Sequence, residues 1–507
     1  MPPPKELPGF YYDAEKNRYF PIKGPIPGSS RSSSAKLGPK KPIPRSTQER
    51  SPCRKPLKKT SKLLLARELS GNIIMSYRWK CNFREELQKT QASQPVVWKY
   101  QRTDRIDISA LEQINIDVET FEGVVKTDVL LSGNLNGSLR FFEVRKEQAI
   151  DITWMPDRVK NYAKGKTYKH DEVPAPVVAN YGGLIEKPSR ISCIRLGPRF
   201  SSHADEGPNV RHVLFTHLGS ETSGGSIHIM DLAEPLMPNV VSPIKQVASF
   251  KCTFWTAEYD YTRPRAVIGT NIGAASVDLE TGQASWFLRC KSDVFAEQIF
   301  NSGNSILCGL RNGAIIAIDF RERRDRFSSR HFTQRIPYPP LDKKAGSSNK
   351  EWFKLTGDMN PSQTTRLPSS ISSLVSLQFD DQYFLASSMD GSVRLYDHRL
   401  LQRGAIQSYE GHVNSHTRIQ LGVDPQERFV MSGGEDYYLR LWSIKSGELL
   451  FEDKFSDTVL SIVCFRKYKY TDNVFKPEVV NKYMNDYPLG AWLASLGGLY
   501  YVNWFSL

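Results

Sequence analysis

A short hairpin pattern recurs seven times between residue 131 and the end of this 507-residue chain. In its most informative copy, at residues 385–399, a strand of small and apolar residues meets a tight turn at Asp390 and Gly391, and an alternating strand follows. An isolated two-stranded hairpin is barely stable in water, so the copies must pack against one another. The seven copies lie at residues 131–143, 223–231, 268–278, 308–319, 385–399, 432–443 and 494–504.

This repeat resembles the WD40 repeat and predicts an all-β fold, a seven-bladed WD40 β-propeller. Asp436 and Trp442 in the sixth copy, with His412 upstream of it, occupy the positions where WD40 repeats place a buried hydrogen-bond chain that braces the blade. Gly434 stands where the usual Ser or Thr of that chain would be, so we expect an incomplete network and a structural role for His412. Residues 95–101 are apolar enough to supply the fourth strand of the last blade and to close the ring.

The spacing of the copies also predicts the domain organisation. A blade needs roughly 40–45 residues, so wider spacings indicate insertions. Short aromatic runs around a polar turn indicate a hairpin before the basic region, and a helical pattern follows that region. We expect an aromatic hairpin motif at 1–23, a disordered basic linker at 24–60, a helix–loop–helix at 61–93 and the propeller at 94–507, with long insertions at 146–190, 322–370 and 466–489.

The helix–loop–helix has two interpretations that the sequence leaves open. Ser61 can cap a first helix that stops at Gly71. A second helix is predicted to start at Ser76 and to carry an aromatic stripe that includes Trp79 and Phe83. The pair either covers the edge of the propeller or docks into a partner groove as an amphipathic anchor.

Positive charge is concentrated in one segment. Residues 23–60 hold eleven Lys or Arg and one Glu, a net charge of +10 out of +14 for the whole chain, so the rest is nearly balanced. Such a segment can be an import signal, make a weak contact with nucleic acid or remain a solvated linker. These three alternatives stay open.

Several classes of protein are disfavoured by the sequence. No apolar run approaches the roughly 18 residues of a membrane span, and the first residues lack the apolar core of a signal peptide. The seven cysteines are scattered without a Cys-x-x-Cys pair, which argues against a zinc site and a disulfide framework. We therefore expect an intracellular protein of the nucleus, the cytoplasm or both, without a membrane partner.

No enzyme signature is present either. The sequence lacks a phosphate-binding Gly-x-x-x-x-Gly-Lys-Ser/Thr loop, a Gly-x-Ser-x-Gly elbow and a His-Glu-x-x-His zinc motif. A rigid ring with many loops is chiefly a binding platform. We expect no catalytic residue, no cofactor, no metal and no small-molecule substrate.

Two short motifs carry a more specific resemblance. Residues 396–399, Tyr-Asp-His-Arg, resemble the WD-x-Arg box of cullin-4 ubiquitin-ligase substrate receptors, and residues 318–321, Ile-Asp-Phe-Arg, resemble a second box in the preceding blade. Residues 7–13 and 18–20 resemble the start of the DDB1- and cullin-4-associated factor 4 family, also called the WD-repeat protein 21 family. With the propeller, this resemblance covers most of the chain.

The resemblance implies a function and a partner. It implies a non-enzymatic substrate receptor of a cullin-4 RING E3 ubiquitin ligase, which bridges a DDB1-type adaptor and an unknown protein substrate. For Arg399, a salt bridge within the fold, for example to Asp397, is the alternative. The other function that we consider is a nuclear WD40 scaffold in chromatin or RNA-processing complexes. The residues expected to bind the adaptor are Arg399, Asp397, Tyr396, Arg321, Asp319, Trp79 and Phe83.

Overall fold

The structure, a computed structural model, divides the chain into two compact units, Met1–Pro56 and Leu57–Leu507. In the first unit, the described residues form one antiparallel pair of strands, Phe10–Asp13 with Arg18–Pro21. The structure describes residues 10–13, 18–21, 60–75, 80–103, 107–120, 123–144, 153–159, 173–180, 189–198, 211–220, 223–232, 243–290, 292–300, 303–321, 333–337, 352–356, 363–466 and 489–504.

Within the second unit, the described residues form seven sheets of four or five strands, which are the blades of a seven-bladed propeller. The predicted fold is therefore confirmed. Six of the hairpin copies supply the second and third strands of one blade, and the copy at 223–231 supplies the third strand of blade 2. Innermost to outermost, blade 1 has Ile108–Thr120, Gly123–Asn134, Leu139–Val144, Val177–Asn180 and Thr153–Trp154; blade 2 has Ile191–Pro198, Arg211–His217, Gly225–Leu232 and Ile244–Phe250; blade 3 has Phe254–Tyr259, Arg265–Thr270, Gly273–Asp278 and Ala284–Arg289.

The remaining blades follow the same antiparallel order, and buried apolar side chains pack between neighbouring blades. Blade 4 has Val294–Phe300, Ser305–Leu310, Ala314–Asp319 and Thr364–Arg366; blade 5 has Ile371–Ser376, Tyr383–Ser388, Val393–Asp397 and Gln407–Tyr409; blade 6 has Gly422–Val423, Phe429–Gly433, Tyr438–Ser443 and Leu449–Lys454; blade 7 has Ile462–Phe465, Gly490–Ser495, Gly498–Asn503, Val96–Tyr100 and Pro156–Arg158.

Blade 7 closes the ring with strands from both ends of the unit. Val96–Tyr100 pairs antiparallel with Gly498–Asn503, with Trp98 opposite Tyr501. The indole Nε1 of Trp98 donates to the Asn503 side-chain oxygen at 3.1 Å. The prediction that residues 95–101 would supply this strand is confirmed, and closure pairs the edges that a sheet would otherwise expose.

The innermost strands of blades 1 to 5 share an irregularity near their first residues. In each strand the pairing register shifts by one position at the second residue, as in a β-bulge. A bulge redirects a side chain and increases the local twist, which suits the end of a strand that lines a channel. The bulged residues are Ser109, Ser192, Trp255, Phe295 and Ser372.

Two predicted insertions contain strands of the blades. The outer strand Val177–Asn180 of blade 1 falls within 146–190, and the outer strand Thr364–Arg366 of blade 4 falls within 322–370. The second segment also contains the paired strands Thr333–Pro337 and Trp352–Thr356. Residues 24–59, most of the rest of these insertions and 467–488 lie outside the described residues.

The helical segment differs from its prediction. Helix α1 spans Thr60–Ser70 and helix α2 spans Phe83–Ala92, with the paired strands Ile73–Met75 and Lys80–Asn82 between them. The predicted start of the second helix at Ser76 is therefore wrong. The strand pairing keeps residues 73–75 and 80–82 extended, and the Asn82 side chain caps α2 by accepting from the backbone N of Arg84 at 3.0 Å.

Helix α2 packs on the outer edge of the propeller. Lys89 Nζ lies 3.0 Å from Glu448 of blade 6, and Lys445 Nζ lies 2.7 Å from Glu85. The indole of Trp504 donates to the carbonyl of Ala92, the last helical residue, at 2.7 Å. These contacts support the first interpretation of the helix pair, in which it covers the propeller edge. Neither helix of the described residues is long and apolar enough to cross a membrane.

Candidate functional site

Two Asp-x-Arg motifs in neighbouring blades have the same geometry. Asp397 ends the third strand of blade 5, where its Oδ1 accepts from the Arg399 backbone N at 2.9 Å and from Nε at 3.0 Å, and its Oδ2 accepts from Nη2 at 2.7 Å. Asp319 ends the third strand of blade 4 and makes the same three contacts with Arg321, at 2.8, 3.0 and 2.6 Å. Each carboxylate therefore fixes both the turn and the arginine side chain that follows it.

These pairs hold the arginines in place while leaving them accessible. The Arg399 side chain is 55% exposed and that of Arg321 is 69% exposed, whereas Asp397 is almost fully buried. The hydrogen bond from the Arg399 side chain lowers the pKa of Asp397, and Arg321 does the same for Asp319, so both carboxylates are ionised at neutral pH. Each pair is thus electrically neutral overall and presents an oriented guanidinium rather than an isolated positive charge.

Both arginines lie on the same face of the propeller. Because the strands of a blade alternate in direction, the third strand ends on the side where the innermost strand also ends. We call this side the fork face. Phe300, at the end of the innermost strand of blade 4, contacts the ring of His398 with a centroid distance of 4.9 Å, so the two motifs belong to adjoining parts of this face. The salt bridge between Arg399 and Asp397, which we considered as the alternative, is present. The Arg399 side chain is nevertheless exposed to solvent.

Other predicted adaptor-binding residues are not on the surface. Tyr396 is buried in the core, where its ring stacks on Phe384 at a centroid distance of 5.4 Å. Phe83 is also buried, and it packs with Leu63 and Ile74 to join the two helices. Both rings pack inside the protein, where an aromatic ring gains most, and their contact with the adaptor stays a prediction. Trp79 lies outside the described residues.

Most of the leucines on α1 are exposed. Only Leu63 of its four leucines is buried, whereas Leu69 is 80% exposed and Leu64 and Leu65 are also exposed. The run of leucines in this helix was visible in the sequence. Which of them would face the protein depended on how α1 sits against its neighbours, and that could not be predicted locally.

The bracing network of blade 6 is formed differently from the prediction. His412 Nε2 lies 2.9 Å from the carbonyl oxygen of Gly433 and 3.2 Å from the Ser432 hydroxyl, so Ser432 provides the hydroxyl that was expected at position 434. Burial lowers the pKa of His412, which favours its neutral form. Asp436 pairs with Arg440 at 2.5 Å instead of joining His412.

Trp442 is fully buried in the same blade and donates from its indole to the carbonyl of Glu410 at 2.9 Å. His412 and Trp442 therefore both lie inside the blade. Among the residues that the structure describes, no group of His, Cys, Asp and Glu could hold a metal ion.

Comparison with protein families identifies the repeats. The family described as "WD domain, G-beta repeat" matches residues 361–397 and 404–443, which cover most of blades 5 and 6. The first of these matches ends at Asp397, within the Asp397–Arg399 motif. Among solved structures, a computationally designed protein called Ika8 is matched with a TM-score of 0.41 and 14% identity over 80% of this chain and 98% of that chain.

Several proteins have sequences similar to this chain. The human protein "DDB1- and CUL4-associated factor 4" is 31% identical over 161 residues, which are 31% of this chain and 25% of the relative. The human "DDB1- and CUL4-associated factor 4-like protein 2" is 28% identical over 31% of this chain and 32% of that relative. An uncharacterized WD repeat-containing protein of Caenorhabditis elegans is 24% identical over 46% of this chain and 38% of the relative.

The matched regions thus span between a quarter and two fifths of these relatives. The resemblance inferred from the motifs is confirmed: this chain is a seven-bladed WD40 β-propeller whose sequence is similar to the DDB1- and CUL4-associated factor 4 proteins.

Proposed function

We propose that this protein is a non-enzymatic substrate receptor of a cullin-4 RING ubiquitin ligase, and that it binds the DDB1-type adaptor through the fork face. The observation that carries this proposal is the pair of Asp-x-Arg motifs with the same geometry and exposed guanidinium groups on adjacent blades. The names of the relatives, which state an association with DDB1 and CUL4, support the same partner.

The chemistry of this role needs no reactive group in the receptor. Bringing a substrate next to the transferring enzyme raises its effective concentration, and this proximity accelerates the transfer. A guanidinium whose Nε and Nη2 are held by a carboxylate loses little rotational freedom when it binds. It can then donate its remaining N–H groups to acceptors on the adaptor in a fixed direction, which a flexible ammonium cannot do.

Helix α1 offers a second contact for the same partner. Its exposed leucines are apolar groups that the propeller does not cover, while α2 is held against blade 6 by ion pairs. We therefore assign the anchoring part of the helix pair to Leu65 and Leu69, instead of the aromatic residues predicted from the sequence.

The test is capture of purified adaptor by the full chain and its variants. Removing both arginines in Arg321→Ala/Arg399→Ala should weaken binding by about 2 kcal/mol or more, roughly 30-fold, because anchoring arginines contribute energies of this size. Arg321→Lys/Arg399→Lys keeps the charge but loses the fork, so it should bind almost as weakly as the alanine variant.

The matched control is Arg289→Gln, an exposed arginine at the end of the outer strand of blade 3. It should bind like the wild type, and circular dichroism should show that all variants are folded. Undiminished capture by the folded double alanine variant would show that the motifs serve only the fold.

The runner-up function is a nuclear WD40 scaffold in a chromatin or RNA-processing complex. Its support is the net charge of +10 in residues 23–60, which lie almost entirely outside the described residues. Nucleic-acid binding that falls steeply with salt, together with no capture of the adaptor, would favour this function.

A further inference from the structure

The opposite face of the propeller contains arginines that the fork face does not use. We call this side the channel-entry face, because the innermost strands begin there and surround the central channel. The turns between the second and third strands lie on the same side, as shown by the bond from the Arg311 backbone N to the carbonyl of Asp293 at 2.8 Å. Arg190 immediately precedes the innermost strand of blade 2, and Arg418 lies in the approach to that of blade 6.

Arg418 reaches across the channel. Its Nη1 donates to the carbonyl oxygen of Trp255 in blade 3 at 2.5 Å. Blades 3 and 6 are separated by two other blades on one side of the ring and three on the other, so this hydrogen bond spans the channel instead of joining neighbours. Backbone hydrogen bonds connect Arg190 to the same part of blade 3. The Arg190 carbonyl accepts from the backbone N of Leu218, and the Leu218 carbonyl accepts from the backbone N of Phe254, the residue before Trp255.

Three buried N–H groups in this cluster lack an acceptor among the described residues. They are the Nε atoms of Arg190 and Arg418 and the indole Nε1 of Trp255. Buried donors are normally paired, and a buried donor without a partner requires an explanation. Phe295 packs against the Trp255 ring edge-to-face at a centroid distance of 5.0 Å, which gives the cluster an apolar wall.

The positive charge of the cluster is also uncompensated. Arg195 is neutralised by Glu258, whose Oε2 lies 3.0 Å from its Nε, but no described carboxylate forms an ion pair with Arg190 or Arg418. Burial lowers the pKa of Arg418 to about 10, and the charges of Arg190 and Arg195 act in the same direction, yet the side chain is still cationic at neutral pH. Burial also raises the pKa of Glu297 in blade 4, which favours its neutral form.

We propose that the channel-entry face binds an oxyanion on a polypeptide, a carboxylate side chain held by the guanidinium groups of Arg190 and Arg418 and by the indole N–H of Trp255. Guanidinium groups and an indole N–H are donors that a carboxylate accepts, and the Trp255–Phe295 wall suits an apolar neighbour of the acidic residue. The identification of this polypeptide as the ligase substrate rests on the proposed function. The binding of the carboxylate itself is independent of that function.

Fluorine NMR of the full chain tests the site directly. The nine tryptophans are labelled as 5-fluorotryptophan, and Trp255→Phe identifies the resonance of Trp255. The probe is the peptide acetyl-Ala-Glu-Phe-amide, with acetyl-Ala-Gln-Phe-amide as its neutral match. We expect the Glu peptide to shift the Trp255 resonance and the Gln peptide to leave it in place. A peptide bound to the basic segment would not move this resonance.

The variants decide between the outcomes. Arg190→Gln/Arg418→Gln should weaken the response to the Glu peptide at least tenfold, and Arg190→Gln alone should also weaken it if the double variant does not fold. The control is Arg403→Gln, which replaces an exposed arginine on the fork-face side of blade 5. This variant should respond to the Glu peptide like the wild type. Equal responses of the two peptides, an unchanged response in the folded variants, or a response to inorganic phosphate without one to the Glu peptide would overturn the proposal.

Adaptor capture separates this inference from the proposed function. If the Glu peptide shifts Trp255 but the wild-type chain captures no adaptor, the anion site stands and the receptor function fails. If the adaptor is captured but Trp255 does not respond, the anion site fails alone.

Discussion

Replacing Glu435 with glutamine should destabilise the protein at neutral pH, less at pH 3, and have little effect near pH 2. Glu435 lies in the turn between the second and third strands of blade 6. Its carboxylate accepts from the Ser415 hydroxyl at 2.5 Å, from the Thr417 hydroxyl at 2.5 Å, and from the backbone N atoms of Thr417 and His416 at 2.8 and 3.1 Å. It thereby holds the segment that leads into Arg418.

The magnitude follows from the pKa of this group. Burial acts to raise the pKa of Glu435, but the hydrogen bonds from Ser415 and Thr417 and from the backbone of His416 and Thr417 lower it from 4.5 to about 2. At about 1.36 kcal/mol for each pH unit, this difference corresponds to about 3 kcal/mol. The turn lies at the solvent-facing rim, where screening reduces such interactions, so we expect a contribution of about 1–2 kcal/mol.

The sign determines the pH dependence. A carboxyl whose pKa is lower in the folded state stabilises the protein fully above its unfolded pKa, and this contribution is lost as the pH falls through the folded pKa. For Glu435 the loss should occur between pH 4.5 and about 2. Since glutamine has no charge to titrate, the gap between wild type and Glu435→Gln should close over the same range.

Urea unfolding at pH 7, 4.5 and 3 measures this gap as the difference in the free energy of unfolding. The control is Glu280→Gln, an exposed glutamate in a turn of blade 3, which should match the wild type at all three values. A deficit of Glu435→Gln that stays the same from pH 7 to pH 3, or no deficit at pH 7, would refute the reasoning.

Two further predictions concern the packing of the propeller. Trp504→Phe should lower the free energy of unfolding by about 1–3 kcal/mol, because the buried carbonyl of Ala92 loses its donor, and limited proteolysis should then cleave the helix pair faster. Gly391→Ala should destabilise the protein more than Gly71→Ala in thermal unfolding. Both glycines have positive φ angles, of 81° and 68°, but an added Cβ at Gly391 would lie 2.7 Å from the carbonyl oxygen of His412, whereas that at Gly71 meets nothing within 4 Å. Equal losses for the two glycine variants would contradict the role assigned to this contact.

Much of the fold could be predicted because it depends on short-range patterns. A turn such as Asp390-Gly391 between alternating strands specifies a hairpin by the conformations its own residues allow. The Asp397–Arg399 pair is equally local, since its two residues lie two positions apart along the chain. The helical segment was harder to predict, because Phe83 is placed at the start of α2 by strand pairing and by packing on Leu63.

The sequence by itself determined the number of blades and the two Asp-x-Arg motifs, because each depends on neighbours within one repeat or on a periodic pattern. It also indicated the closing strand at 95–101, because this apolar segment could supply the strand that the last blade lacked. Only the tertiary structure decided that Arg418 would meet Trp255 across the channel, 163 residues apart in the chain. It also decided that the donors of Arg190, Arg418 and Trp255 would lack an acceptor among the described residues. No local pattern encodes such a contact, since it exists only once the ring of blades has brought distant strands around one axis.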